Sequence, residues 1–182
     1  MVIYGTLGED GYELCHPVDK GDYERLNLML NGVSRRAAWA PIDVEIVRKD
    51  EGKTLRDSDS PWMDSTRMIL RPRATEALRS ILAAHGELLP LRCAHAEVEI
   101  FNVLKMVDAL DEDASEINRF KDGRIMMIRR HVFRADAVRD VDIFKIANPR
   151  VSQIFVSQRF VDLWKSSGLH GLTFPTVWES KP

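Results

Sequence analysis

Residues 68–91 read MILRPRATEALRSILAAHGELLPL. Met68, Ile69 and Leu70 form an apolar run of strand length. Pro72 stands where a helix accepts proline, in the first turn, because amides there have no intrahelical partner. Ala74, Ala77, Leu78, Ile81 and Leu82 then recur at helical spacing and make one apolar face. The spacing predicts a helix near residues 72–84, stopped at Gly86. Residues 87–91 return as an extended segment. The unit reads strand, helix, strand.

The end of the chain repeats this pattern. Residues 154–156 are apolar and extended. Ser157 is a natural N-cap, because its hydroxyl can accept from a free first-turn amide. Phe160, Val161, Leu163 and Trp164 form a stripe that predicts a helix near residues 158–166, closed by Gly168. Residues 172–177 are extended again. At a constant offset, Leu78 falls on Leu163, His85-Gly86 on His170-Gly171, and Pro90 on Pro175, without a gap. Either an old duplication or the shared punctuation of such units accounts for this.

The rest of the chain adds strands. Residues 2–7 and 12–16 read as strands split by a turn at Gly8-Glu9-Asp10-Gly11. Residues 22–30 carry a short helical spacing, Val44 and Ile46 mark a strand, and 50–60 is a polar loop. Residues 98–107 are rich in β-branched types. Residues 126–130 and 131–134 read as a strand pair or one longer strand, and 142–146 as another, closed by Asn148-Pro149. Strands cluster without regular βα alternation. The prediction is a single α+β domain, with a mixed or antiparallel sheet and a few short helices mainly on one face.

Composition excludes more than it assigns. The chain has 182 residues, enough for one sizeable core. A hydrophobic fraction of 45% with 30% charged residues argues against disorder. A net charge of −2 gives no general pull toward nucleic acid or an anionic membrane. No apolar run approaches the about 20 residues of a membrane span, and the first residues do not read as a secretory signal. Cys15 and Cys93 are too sparse for a disulfide framework, so reduced thiols in a cytoplasm are expected.

Candidate chemistry is thin. Cys93 and His95 could supply a thiolate or half a metal site, or simply a small buried thiol and a rim histidine. His131 would need a partner to act as a base. Asp108, Asp111, Glu112, Asp113 and Glu116 form an acidic run without an internal cation. That run reads as a solvated turn, a calcium loop lacking its glycine, or a face for a basic partner. Residues 119–134 are basic but hold only Phe120 and Phe133 for stacking on bases. Neither Gly-x-Ser-x-Gly nor a phosphate-binding Gly-Lys loop occurs. No cofactor and no metal is expected.

The segments Gly86-Glu87-Leu88-Leu89-Pro90-Leu91, Phe101-Asn102-Val103-Leu104 and Val107-Asp108-Ala109-Leu110-Asp111 with Ser115 occur in this order. Asp142-Ile143-Phe144-Lys145 and the ending from Ile154 to Phe174 follow. Over residues 60–177 the chain resembles the bacterial immunity protein family numbered eleven, formerly a domain of unknown function. The resemblance implies a bacterial, cytoplasmic, non-catalytic protein that binds and neutralises a polymorphic toxin encoded beside it, in competition between bacteria. From charge and composition, neither a nucleic acid nor a membrane is expected as a partner. Residues 1–59 match loosely, as a variable part of the same domain would, and 60–182 are the family-like core. Asp108, Asp111 and Ser115 match the family pattern and are expected to build a turn. Glu112, Asp113 and Glu116 are then the freer partner-binding candidates. If the toxin were a nuclease, the acidic run Asp108–Glu116 would mimic phosphate charge. Trp39 and Trp62 are candidate anchors, with core packing as the alternative. A small enzyme using Cys93, His95 or His131 and a structural or regulatory module without a toxin are the competing readings.

Overall fold

Strands buried on both faces organise the molecule. In the computed structural model, which describes residues 1–180, Met68–Leu70 and Gly86–Pro90 lie on either side of Glu99–Val103. Both run antiparallel to that middle strand, so the helical segment between them is a crossover. The second unit repeats the plan. Phe155–Ser157 and Thr176–Glu179 flank the strand Val2–Gly5, both antiparallel to it. Ile143–Ile146 and Met106–Val107 extend this sheet to five strands, the last pair being parallel. The fold is thus α+β with mostly antiparallel pairing, as predicted. The two units share a split topology, but the gapless offset ends with the helix. The partner of Gly86–Pro90 in the second unit is Thr176–Glu179, not the segment at 171–175.

The helices are α1 (Asp22–Met29), α2 (Pro72–Ala77), α3 (Arg79–His85), α4 (Ala135–Val138) and α5 (Gln158–Ser166). Successive strand residues divide between layers, as the two-residue period requires. Met68, Leu70, Phe101 and Val103 meet Ile81, Leu82, Phe160 and Trp164 of the helices, together with Ile143 and Val156 from the five-stranded sheet. α2, α3 and α5 therefore pack between the sheets. Ile69, Leu89 and Ile100 point the other way, onto Cys15, Leu26, Ile42 and Val44. Ile3, Phe144 and Phe155 point away from α2, α3 and α5, onto Phe133 and onto Val138 of α4. Each fully buried side chain of this size contributes about 1.5–3 kcal/mol.

Local signals worked as expected at α5, where the Phe160 amide donates to Ser157 Oγ at 3.3 Å. Elsewhere three expectations need correction. The helix near 72–84 is two helices that share Leu78 as C-cap and N-cap. Leu78 is fully buried, so packing sets its backbone rather than any breaker in the sequence. The strand Ile125–Arg130 pairs with Glu116–Arg119, not with 131–134. Gly86 ends α3, but not in a left-handed cap: its φ is 179°, and it opens the next strand.

The need for glycine at 86 is steric. A Cβ there would sit 2.3 Å from the Asn102 carbonyl oxygen and 2.6 Å from Phe101 Cζ. The first contact is backbone of the paired strand and cannot rotate away. Gly86→Ala is expected to cost about 1–3 kcal/mol, the range of overpacked cores. Urea denaturation checks this, and unchanged stability would show that the two strands can separate freely.

Candidate partner-binding surface

After Met106–Val107 the chain leaves the five-stranded sheet and returns through a two-stranded arm. The root is pinned by backbone bonds from Asp111 N to Val132 O, 2.8 Å, and from Arg134 N to Ala109 O, 2.8 Å. Ser115 secures the turn: its Oγ donates to Asp111 O at 2.6 Å and accepts from Val132 N at 2.9 Å. Asp111 Oδ1 accepts from Ala114 N at 3.1 Å. Glu116–Arg119 and Ile125–Arg130 then form the arm, closed by the turn Lys121-Asp122-Gly123. Gly123 has φ 84°, which is why glycine follows Asp122 there.

The register of the arm shifts twice, between Glu116 and Ile117 and between Asn118 and Arg119. Each shift lets two residues oppose one and re-aims a side chain. Ile117, Ile125 and Ile128 pack on the phenylalanine layer. Met126 and Met127, adjacent in sequence, both reach solvent at 53% and 48% exposure, and Phe120 at 49%. Strict alternation would have hidden one methionine. Met126 and Met127 also border a shallow cleft of about 220 Å³ shared with Val151 and Pro149.

Several charges of the arm and its root are paired. Asp108 bonds Arg134 at 2.8 Å and Glu116 bonds Arg130 at 2.8 Å. Glu112 accepts from Arg119 and, at 2.7 Å, from Asn148 Nδ2. Those two bonds hold its carboxyl below the usual range. The run 108–116 lacks cations in sequence, but the fold brings arginines to it from the returning strand. Residues 108–134 carry six acids and six bases, so the arm is balanced in charge.

Residues 96–179 match the family model described as Immunity protein family (Imm11). Over that span the chain is similar to the Imm11 immunity family. The resemblance read from the sequence is borne out there. No curated protein matches the chain. The whole arm lies inside the Imm11 region, as do Ile143–Ile146 and the second split unit apart from Val2–Gly5.

The remaining candidates are scattered. Trp39 and Trp62 precede the Imm11 region and are half-buried. The Trp39 indole N–H donates to Pro90 O at 2.7 Å, and its ring packs on the N-terminal layer. Trp62 packs on the helical layer and backs Gly8. Cys93 joins the N-terminal layer, His95 is exposed, and His131 lies against Phe155 on the far side of the other sheet. These three do not meet. Among the described residues no group of three or more His, Cys, Asp or Glu is placed to hold a metal ion. No described helix is long and apolar enough to cross a membrane.

His131 has a measurable consequence. Burial lowers its pKa from 6.5 to about 4, so the folded protein keeps the ring neutral. The unfolded chain takes up the proton near its ordinary value, about 6.5. The histidine's contribution to stability is therefore full above that pH, declines as pH falls, and is lost once pH passes below about 4. His131→Phe is expected to flatten this part of the stability profile. Denaturation midpoints across that pH window provide the check, and an unchanged slope would contradict it.

Proposed function

We propose that the protein neutralises a cognate bacterial toxin by binding it, without catalysis, and that the outer face of the 116–130 arm meets the toxin. The observation that carries this reading is the exposed trio Phe120, Met126 and Met127 on one two-stranded arm. Interfaces draw most of their energy from a few apolar or aromatic anchors enclosed by polar residues. Arg119, Arg124, Arg129 and Arg130 lie on the same arm, with Arg124 over the Phe120 ring at 5.7 Å, and Glu112, Asp113 and Glu116 lie where the arm begins. Asp108, Asp111 and Ser115 hold the root of the arm. Trp39 and Trp62 enter as packing residues.

The similarity of the 96–179 span to an immunity family supports a toxin as the partner. The proposed setting is the cytoplasm of a bacterium that encodes the toxin beside this protein, within a polymorphic toxin system. A charge-balanced arm supports recognition by shape and apolar contact over mimicry of phosphate. Co-expression with the toxin encoded nearby tests the proposal. Growth should be rescued and the two proteins should co-purify. Rescue without association would point to a catalytic or indirect mode instead.

A further inference from the structure

We propose that the cavity between α1 and the edge of the five-stranded sheet binds a small free oxyanion, a phosphate or a carboxylate, through Lys145. The cavity measures about 360 Å³, and Leu26, Asn31, Arg67, Met106, Lys145 and Arg150 contribute to its wall. That is near the lower end of small-ligand pockets, roughly 300–1,000 Å³.

The charge inventory of the wall is unbalanced. Lys145 and Arg67 are each only 5% exposed. Arg67 has its counter-ion: Nη1 bonds Asp64, and Nη2 donates to Tyr23 O at 2.6 Å and Asn27 Oδ1 at 2.5 Å, while its buried Nε has no partner among the described residues. Asp64 also accepts from the Thr66 amide and hydroxyl. Arg150 is satisfied by Glu24 at 2.6 Å. Lys145 is not. Its Nζ makes one long bond, 3.4 Å to Leu30 O, and no described carboxylate lies within ion-pair distance. An ammonium has three donors, and a buried charge without a counter-ion is costly.

Burial, and then Arg67, lower Lys145 to about 8, with Asp64 partly opposing them. It therefore still carries its charge at neutral pH, so loss of the proton does not resolve the imbalance. An anion between Lys145 and Asn31 would. The apolar wall from Leu26, Leu30 and Met106 leaves room for a short carbon chain on a carboxylate.

The site also joins two parts of the chain. Lys145 belongs to the Imm11 region, whereas Leu26 and Asn31 precede it. Occupancy should therefore tighten α1 against the sheet.

The test uses the full chain at constant ionic strength, with chloride exchanged for inorganic phosphate or for acetate. Thermal unfolding should shift upward saturably, by about 5–10 °C at a hundredfold excess over Kd. Hydrogen exchange in α1 should slow in parallel. Lys145→Met should fold, because it removes an unpaired charge, and should lose the response to both anions. Should that variant fail to fold, broadening of the phosphorus-31 line of inorganic phosphate by the wild-type chain, competed away by acetate, decides the matter alone. A linear, non-saturating response, an equal response in Lys145→Met, or an unbroadened phosphate line would overturn the proposal.

Discussion

Glu13→Ala is expected to lower the melting temperature by roughly 6–20 °C. Glu13 is 1% exposed and ion-paired with Arg71. Its Oε1 accepts from Arg71 Nε at 3.0 Å, from Arg71 Nη2, and from the Ser58 amide at 3.2 Å. Arg48 approaches Oε2 at 3.6 Å. The backbone is engaged as well: Glu13 N donates to Arg56 O at 2.9 Å, and Trp62 N to Glu13 O at 3.3 Å. One residue thus fastens the N-terminal part to the 56–62 segment and to the entry of α2. Breaking a buried pair from one side costs about 3–5 kcal/mol, because the other charge stays behind unpaired. Arg48→Ala should cost less than about 1 kcal/mol, since that side chain is half exposed and screened. Glu13→Leu combined with Arg71→Met should recover much of the loss, because it removes both charges. A Glu13→Ala melting curve that overlays wild type would show that the pair does not anchor this junction.

Much of the scaffold was legible because its signals are local. Apolar spacing placed α5 and the α2–α3 segment, and Ser157 marked the start of α5. Their layers were not legible, since pairing partners lie far apart in sequence. Val2–Gly5 completes a unit whose other strands lie beyond residue 154. Proximity in sequence also misled the reading of 126–134. The two arm strands are joined by Asp122-Gly123, a strong hairpin signal that the contrast between acidic and basic stretches obscured. That contrast was itself an artefact of sequence order. Asp108, Glu112 and Glu116 look like a bare anionic patch until Arg134, Arg119 and Arg130 fold back onto them. The exposure of Met126 beside Met127 required the bulges, which no alternation pattern reveals. The catalytic candidates Cys93 and His131 show the same limit, since spacing in sequence could not tell that they face different layers.

The arm gives the sharpest functional prediction. Phe120→Ala, Met126→Ala and Met127→Ala together should abolish protection against the toxin while leaving the fold intact. Each side chain is about half exposed, so truncation forfeits little buried contact in the free protein. In a complex the same atoms would be dehydrated, and a central anchor costs about 2 kcal/mol or more when removed. Each such loss is roughly 30-fold in Kd, and neighbouring anchors need not add. A combined loss of at least about 100-fold is expected, read by calorimetry with purified toxin and by growth on co-expression. Neutralising Glu112, Asp113 and Glu116 should do less, about tenfold or below, because two of the three already spend their charge on arginines. The comparison separates the two forms of recognition. An apolar arm predicts a large effect of the alanine triple with weak salt dependence. Phosphate mimicry predicts the reverse order and an affinity that falls steeply with salt. If neither triple changes affinity, the contact surface lies off the arm and the proposed site is wrong, while the immunity reading stands on the rescue experiment alone.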